Sequence, residues 1–269
     1  MNTLPSFMLG TVAVFSAAVS VYAQDIPAVI PGTDVVIVGE VHDNPAHHLN
    51  QAQIVLDVAP KALVFEMLSD AQALNVRPEM LADMDTLEQA IGWDDSGWPD
   101  FAMYYPIFAA AEGAAIFGGA LPRGEVRQAV TDGAASVFGA GAPVFGLDRA
   151  LDDEEQSQRE AGQMAAHCDA LPVSMLNGMV EAQRLRDAGL ARAVLAAHAE
   201  TGGPVVVITG NGHARLDWGL AHALEIAAPE LDVWSIAQFE APPEDEVPFD
   251  EWIVTEGVDR EDPCLAFKK

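Results

Sequence analysis

Short runs of uninterrupted apolar residues alternate along the chain with longer stretches of helical spacing. Asp34-Val35-Val36-Ile37-Val38, flanked by Gly32 and Gly39, reads as a strand covered on both faces, because its apolar run is unbroken. Ala62-Leu63-Val64-Phe65, Ala115-Ile116-Phe117 and Pro204 to Thr209 read the same way, as do Asp232 to Ala237 and Glu251 to Val254. Pro143-Val144-Phe145-Gly146 has the composition of a further short strand. Strands of this kind, separated by helices, predict an α/β fold with a mainly parallel central sheet flanked by helices. Residues 150–201 hold no strand run and break near Pro172 and Gly202. They are expected to form a helical insertion beside the sheet.

Charge narrows the partners. The 269 residues carry 13 Lys+Arg against 41 Asp+Glu, a net charge of -28. That balance excludes nucleic acid and anionic membrane surfaces, both of which need a basic face. Any anionic ligand needs a local basic pocket. Residues 1–23 contain no charged side chain, run apolar from Phe7 to Val19 and end in Val21-Tyr22-Ala23. This is the pattern of a signal peptide cleaved before Gln24, with an N-terminal membrane anchor as the alternative. The expected mature protein is a single domain over residues 24–269, periplasmic or secreted, without stable membrane insertion. In an oxidising compartment the two cysteines, Cys168 and Cys264, are expected to form one disulfide.

Polar residues cluster after the strands. The first strand is followed by Gly39-Glu40-Val41-His42-Asp43-Asn44-Pro45, the second by Glu66, the third by Gly118, Gly119 and then Arg123, with Arg127 one turn on. Pro204 to Thr209 leads into Gly210-Asn211-Gly212-His213-Ala214-Arg215. In a parallel sheet these strand ends share one edge, the edge at which ligands bind. Two buried strands that each run into Gly-x-x-His, ending in His42 and His213, point to a common crevice. Asp43 or Asn44 is a candidate helix cap with Pro45 at the first helical position, which sets His47 and His48 in the first turn. The segment Trp93 to Pro106 concentrates aromatic residues, including Trp93, Trp98, Tyr104 and Tyr105. Such a stretch is either core or a flat apolar wall for a planar ligand. His167, His198 and His222 read as structural.

Two chemistries suit this rim. Glu40, His42, Glu66 and His213 could hold a divalent metal, and Glu40, His42 and His213 could act as base and acid in hydrolysis. No Ser or Cys sits at a strand-to-helix elbow, so acyl-enzyme chemistry is not supported. The motifs Gly39-Glu40-x-His42-Asp43-Asn44-x-x-His47, Phe65-Glu66-Met67, Tyr104-x-Pro106-Ile107, Ala120-Leu121-Pro122-Arg123 and Gly210-Asn211-Gly212-His213-Ala214-Arg215 together resemble the ChaN-like haem-binding uptake family, of the superfamily that includes the Tiki/TraB proteins and erythromycin esterases. The resemblance implies an exported haem-binding protein that handles haem or iron and forms a homodimer around paired haems. It implies a tyrosine iron ligand, Tyr104 or Tyr105, near a histidine such as His47 or His48. Arg123, Arg127 or Arg215 would face the propionates, with Asn211 among the binding residues. The alternative implied by the same superfamily is a metal-dependent hydrolase built on the Gly-Glu-x-His site.

Overall fold

In the computed structural model, residues 32–262 and 264–265 are described. The expected signal peptide lies outside them. Strands β1 (Val35–Val38), β2 (Ala62–Phe65), β3 (Ala115–Gly118), β4 (Val205–Ile208), β5 (Val233–Phe239) and β6 (Glu251–Val254) form one sheet in the order β3-β2-β4-β1-β5-β6. Every pairing is parallel, in register from Val35↔Val205 to Val38↔Ile208 in the centre. The unbroken apolar strands follow from this layering. Val35, Ile37, Val64 and Val207 pack into one core, while Val36, Val38, Phe65 and Ile208 pack into a second core on the opposite face.

Helices α1 (Pro45–Val58), α2 (Asp70–Ala73), α3 (Met84–Ile91) and α4 (Phe101–Ala110) precede β3, and α1 and α4 pack on the second face. Helices α5 (Arg123–Asp132), α6 (Ala134–Phe138), α7 (Asp153–Ala166) and α8 (Val173–Thr201) lie between β3 and β4. Pro143-Val144-Phe145-Gly146 is not a strand. It lies in and just after a 3-10 segment, Gly139–Phe145, between glycines at φ 76 and 68. Positive φ at Gly139 and Gly146 is incompatible with extended pairing, and that outweighs the β-branched composition.

Connectivity places the crevice. From β1 the chain passes over the slot of β4 to reach β2, whereas from β4 it passes over β1 to reach β5. The two central loops therefore diverge between β1 and β4, which makes that gap the switch point of the sheet. Helix α9 (Asn211–Ala214) and helix α10 (Leu220–Ala227) follow β4. At 29 residues, α8 is about 43 Å long, far longer than a four-residue strand. Its C-terminal end leads through Gly202 into β4, so its N-terminal half, paired with α7, extends past the ligand edge. Cys168, in the turn between α7 and α8, is disulfide-bonded to Cys264. No helix among the described residues is long and apolar enough to cross a membrane.

Candidate functional site

Both loops at the switch point carry a glycine that lets a site side chain lie close against the backbone. A Cβ on Gly39 would meet Asn211 Oδ1 at 2.3 Å, and one on Gly210 would meet His42 Nε2 at 2.8 Å. The His42 ring therefore lies directly over the backbone that follows β4. Its Nδ1 donates to Glu40 Oε1 at 2.7 Å, and its outer face meets Trp98 with ring centroids 4.8 Å apart. Among the rim histidines of the described chain, His42 alone keeps a ring nitrogen, Nε2, outside any hydrogen bond, and its side chain is 35% exposed.

Glu40 is fully buried, and its Oε1 also accepts from Tyr104 Oη at 2.8 Å. His48 Nδ1 lies 3.2 Å from Glu40 Oε2 and faces Gln51 Oε1 at the same distance, while its Nε2 donates to the His42 carbonyl at 3.0 Å. Each His48 nitrogen thus faces acceptors, which favours the imidazolium. Burial alone would raise the Glu40 pKa, but hydrogen bonds and charge from His42 and His48 outweigh it and hold the carboxylate below its ordinary value. The same contacts with Glu40 overcome burial at His42 and His48 and raise both above the ordinary histidine value.

A second network lies across the gap. Glu66 Oε2 accepts from Thr209 Oγ1 at 2.7 Å and from the Gly210 amide at 2.8 Å, while Oε1 is 3.4 Å from His213 Nε2. His213 Nδ1 donates to Asp187 Oδ1 at 2.6 Å. Burial opposes charge on His213, but Glu66 and Asp187 on either side push its pKa up to about 10. Glu66 is held well below the carboxylate range by His213 and the Gly210 amide, against the effect of its burial. Burial pushes Asp187 upward, more than His213 pulls it down. At neutral pH His213 is an imidazolium fixed between carboxylates, and across the gap the His42 ring keeps Nε2 outside any hydrogen bond among the described residues.

Several expected ligands have other occupations. His47 Nδ1 accepts from the Val41 amide at 2.9 Å, so its Nε2 carries the proton and donates to Thr255 Oγ1 at 2.8 Å. Burial lowers its pKa to about 4, and this neutral histidine braces the loop. Asn44, not Asp43, caps α1, accepting from the Ala46 amide at 3.0 Å; Asp43 pairs with Arg260. Asn211 clips β4 to β5, donating to the Gln238 carbonyl at 2.6 Å and accepting from its amide at 3.1 Å. Arg215 pairs with Asp217 and stacks on Trp218, 3.9 Å from the ring centroid, instead of facing the crevice. Arg123 is exposed at the start of α5 and donates to the Ser96 carbonyl, two residues from Trp98. Arg127 is exposed further along α5.

Neither tyrosine offers a free phenol. Tyr104 is fully buried on Glu40, and burial together with that carboxylate pushes its pKa far up. Tyr105 turns to the Leu81 carbonyl at 3.3 Å. The metal set Glu40, His42, Glu66 and His213 does not converge on an open point. No group of three or more His, Cys, Asp or Glu residues able to hold a metal exists among the described residues. The physical reason is that both His213 nitrogens and most carboxylate oxygens already face one another.

Asp187 carried a signal that sequence reading missed: an acidic residue directly before the buried run Ala188-Gly189-Leu190-Ala191 of α8. Gln183, one turn earlier, brings its side-chain amide to 3.0 Å from His213 Nδ1. Thr255, Glu240 and Arg260 carried none, because the tail reaches the β1 loop only through the fold.

The family of haem-binding uptake proteins of the Tiki superfamily, ChaN, matches residues 27–224. No curated protein matches the chain. Among solved structures, one described as cofacial haem binding to ChaN of Campylobacter jejuni is similar with a TM-score of 0.59 at 16% identity, covering 81% of this chain and 85% of that one. The type III effector HopBA1 is similar at a TM-score of 0.45 and 12% identity, covering 83% and 88%.

Proposed function

Starting from a chain that belongs to the ChaN family of haem-binding uptake proteins in the Tiki superfamily, we propose that it binds haem at the switch-point rim, with His42 as the axial ligand. One observation carries the reading: His42 is the rim histidine whose Nε2 is uncommitted while Nδ1–H is fixed by a buried carboxylate. That is the arrangement that sets tautomer and ring direction in metal-binding histidines. Other residues fit the group. Trp98 supplies an apolar face beside His42, and exposed Arg123 supplies a cation on the same rim for a propionate. When bound, haem supplies a ferric centre whose properties follow its axial ligand. Glu40, held ionised by His48, increases the basicity of the His42 imidazole, and Tyr104 anchors Glu40. The tyrosine ligand expected from the family resemblance does not enter, because both phenols are engaged elsewhere.

Cofacial haem binding, as described for the Campylobacter protein, would bring two haems and two copies of this chain together. Export to the periplasm or beyond completes the reading, in a role of haem or iron uptake. Titration of the purified protein with haemin tests it. A Soret band of bound haem is expected for wild type and Y105F and is lost in H42A. A band unchanged in H42A and lost in Y104F or Y105F contradicts it.

A second reading rests on the charged His213 beside the Glu40–His42 pair. His42 would serve as general base and His213 as the cation that stabilises a developing anion, without metal. Ester hydrolysis by wild type, lost in both H42A and H213Q, would favour it over haem binding.

A further inference from the structure

On the far side of Asp187 from His213, α7, α8, α10 and the Gly139–Phe145 segment line an open cavity of about 210 Å³. Its walls include the apolar side chains of Phe145, Leu147, Ala223 and Ile226, with Trp218 at one side. Three of the chain's 13 Lys+Arg, Arg149, Arg159 and Arg184, also line it. In a protein of net charge -28 such a concentration needs a cause.

Pairing explains two of them. Arg159, 7% exposed, donates from Nε to Glu155 at 2.9 Å and lies 5.4 Å from the Trp218 ring centroid. Arg184 donates to Glu181 at 2.7 Å and to the carbonyls of Gly146 and Arg149, which ties the cavity's edge together. The carboxylate of Asp187, which also lines the cavity, is balanced by His213. Arg149 alone faces no carboxylate within ion-pair distance among the described residues, and it is exposed at the opening.

We propose that this cavity is a binding site for a small amphiphilic carboxylate, whose hydrocarbon body fills the apolar walls and whose anionic end meets Arg149. The volume lies below the ~300 Å³ of drug-sized sites. The occupant is therefore fragment-sized, and a porphyrin is excluded. The cavity shares Asp187 with the His213 network but includes neither His42 nor Trp98, so the proposal stands whether or not His42 binds haem.

Isothermal titration of 3-phenylpropionate into the full, disulfide-bonded chain tests the proposal. Saturable one-to-one binding with a dissociation constant of about 1 mM is expected from a ligand of this size. Affinity should fall at least tenfold in R149Q, at the exposed opening, and in A223F, which plugs the cavity. The neutral 3-phenylpropanol should also bind at least tenfold more weakly. Circular dichroism identifies any variant that fails to fold, and R149Q then decides alone. Absence of saturable binding to wild type, equal binding of acid and alcohol, or full affinity in folded A223F or R149Q would each overturn it.

Discussion

Replacing His213 by Gln tests whether the buried triad Asp187–His213–Glu66 holds a proton that the unfolded chain releases. His213 has a pKa near 6.5 when unfolded and about 10 in the folded protein, because Glu66 and Asp187 outweigh its burial. A raised value means that the associated stability is complete below pH 6.5 and is lost as pH rises through about 10. Between those limits the folded state binds one proton more than the unfolded state. Stability should then fall by about 1.4 kcal/mol per pH unit, or about 3 kcal/mol from pH 7 to pH 9. The depression of Glu66 reports the same ion pair from its other side, so it is not added. His42 and His48 contribute slopes of the same sign, which the comparison between variants removes. Urea unfolding of wild type and H213Q at the two pH values measures the difference of differences. H213Q should be the less stable at pH 7, because Glu66 and Asp187 then face each other without the cation, and the gap should narrow by about 3 kcal/mol at pH 9. Parallel pH dependence in both proteins would refute the buried imidazolium.

Other features give smaller tests. The Cys168–Cys264 disulfide spans 96 residues, so replacing both cysteines by Ser should cost up to about 4–5 kcal/mol in the loop-entropy account; an unchanged urea midpoint would contradict it. The neighbouring glycines Gly118, which ends β3, and Gly119 should differ in tolerance. A Cβ on Gly118 meets the Ser69 backbone at 2.4 Å, whereas on Gly119 it meets the Leu190 Cδ2 methyl at 2.4 Å. G118A should lose about 3 kcal/mol and melt roughly 6–12 °C lower, with G119A losing about 1 kcal/mol because Leu190 can rotate. Equal melting of the two variants would refute that distinction.

The fold was largely legible because a buried parallel strand has one signature, an unbroken apolar run, and Val35 to Val38 and Val205 to Ile208 display it on both cores. Phe145 misled because its neighbours Gly139 and Gly146 adopt positive φ, a backbone property that composition does not reveal. At the site, Glu40, His42, Glu66 and His213 were legible from their place after strands. Their partners were not. Asp187 arrives from the middle of α8, and Arg260 arrives from the tail to hold Asp43 and Glu240. Arg215 stood at the expected place in the chain, yet Asp217, two residues on, captures its guanidinium.

The identity of the axial atom decides the central claim. Resonance Raman spectra of the ferric haem complex should show an iron–imidazole linkage in wild type, retained in Y104F and Y105F and lost in H42A. An iron–phenolate vibration that survives in H42A and vanishes in Y104F or Y105F would contradict the account.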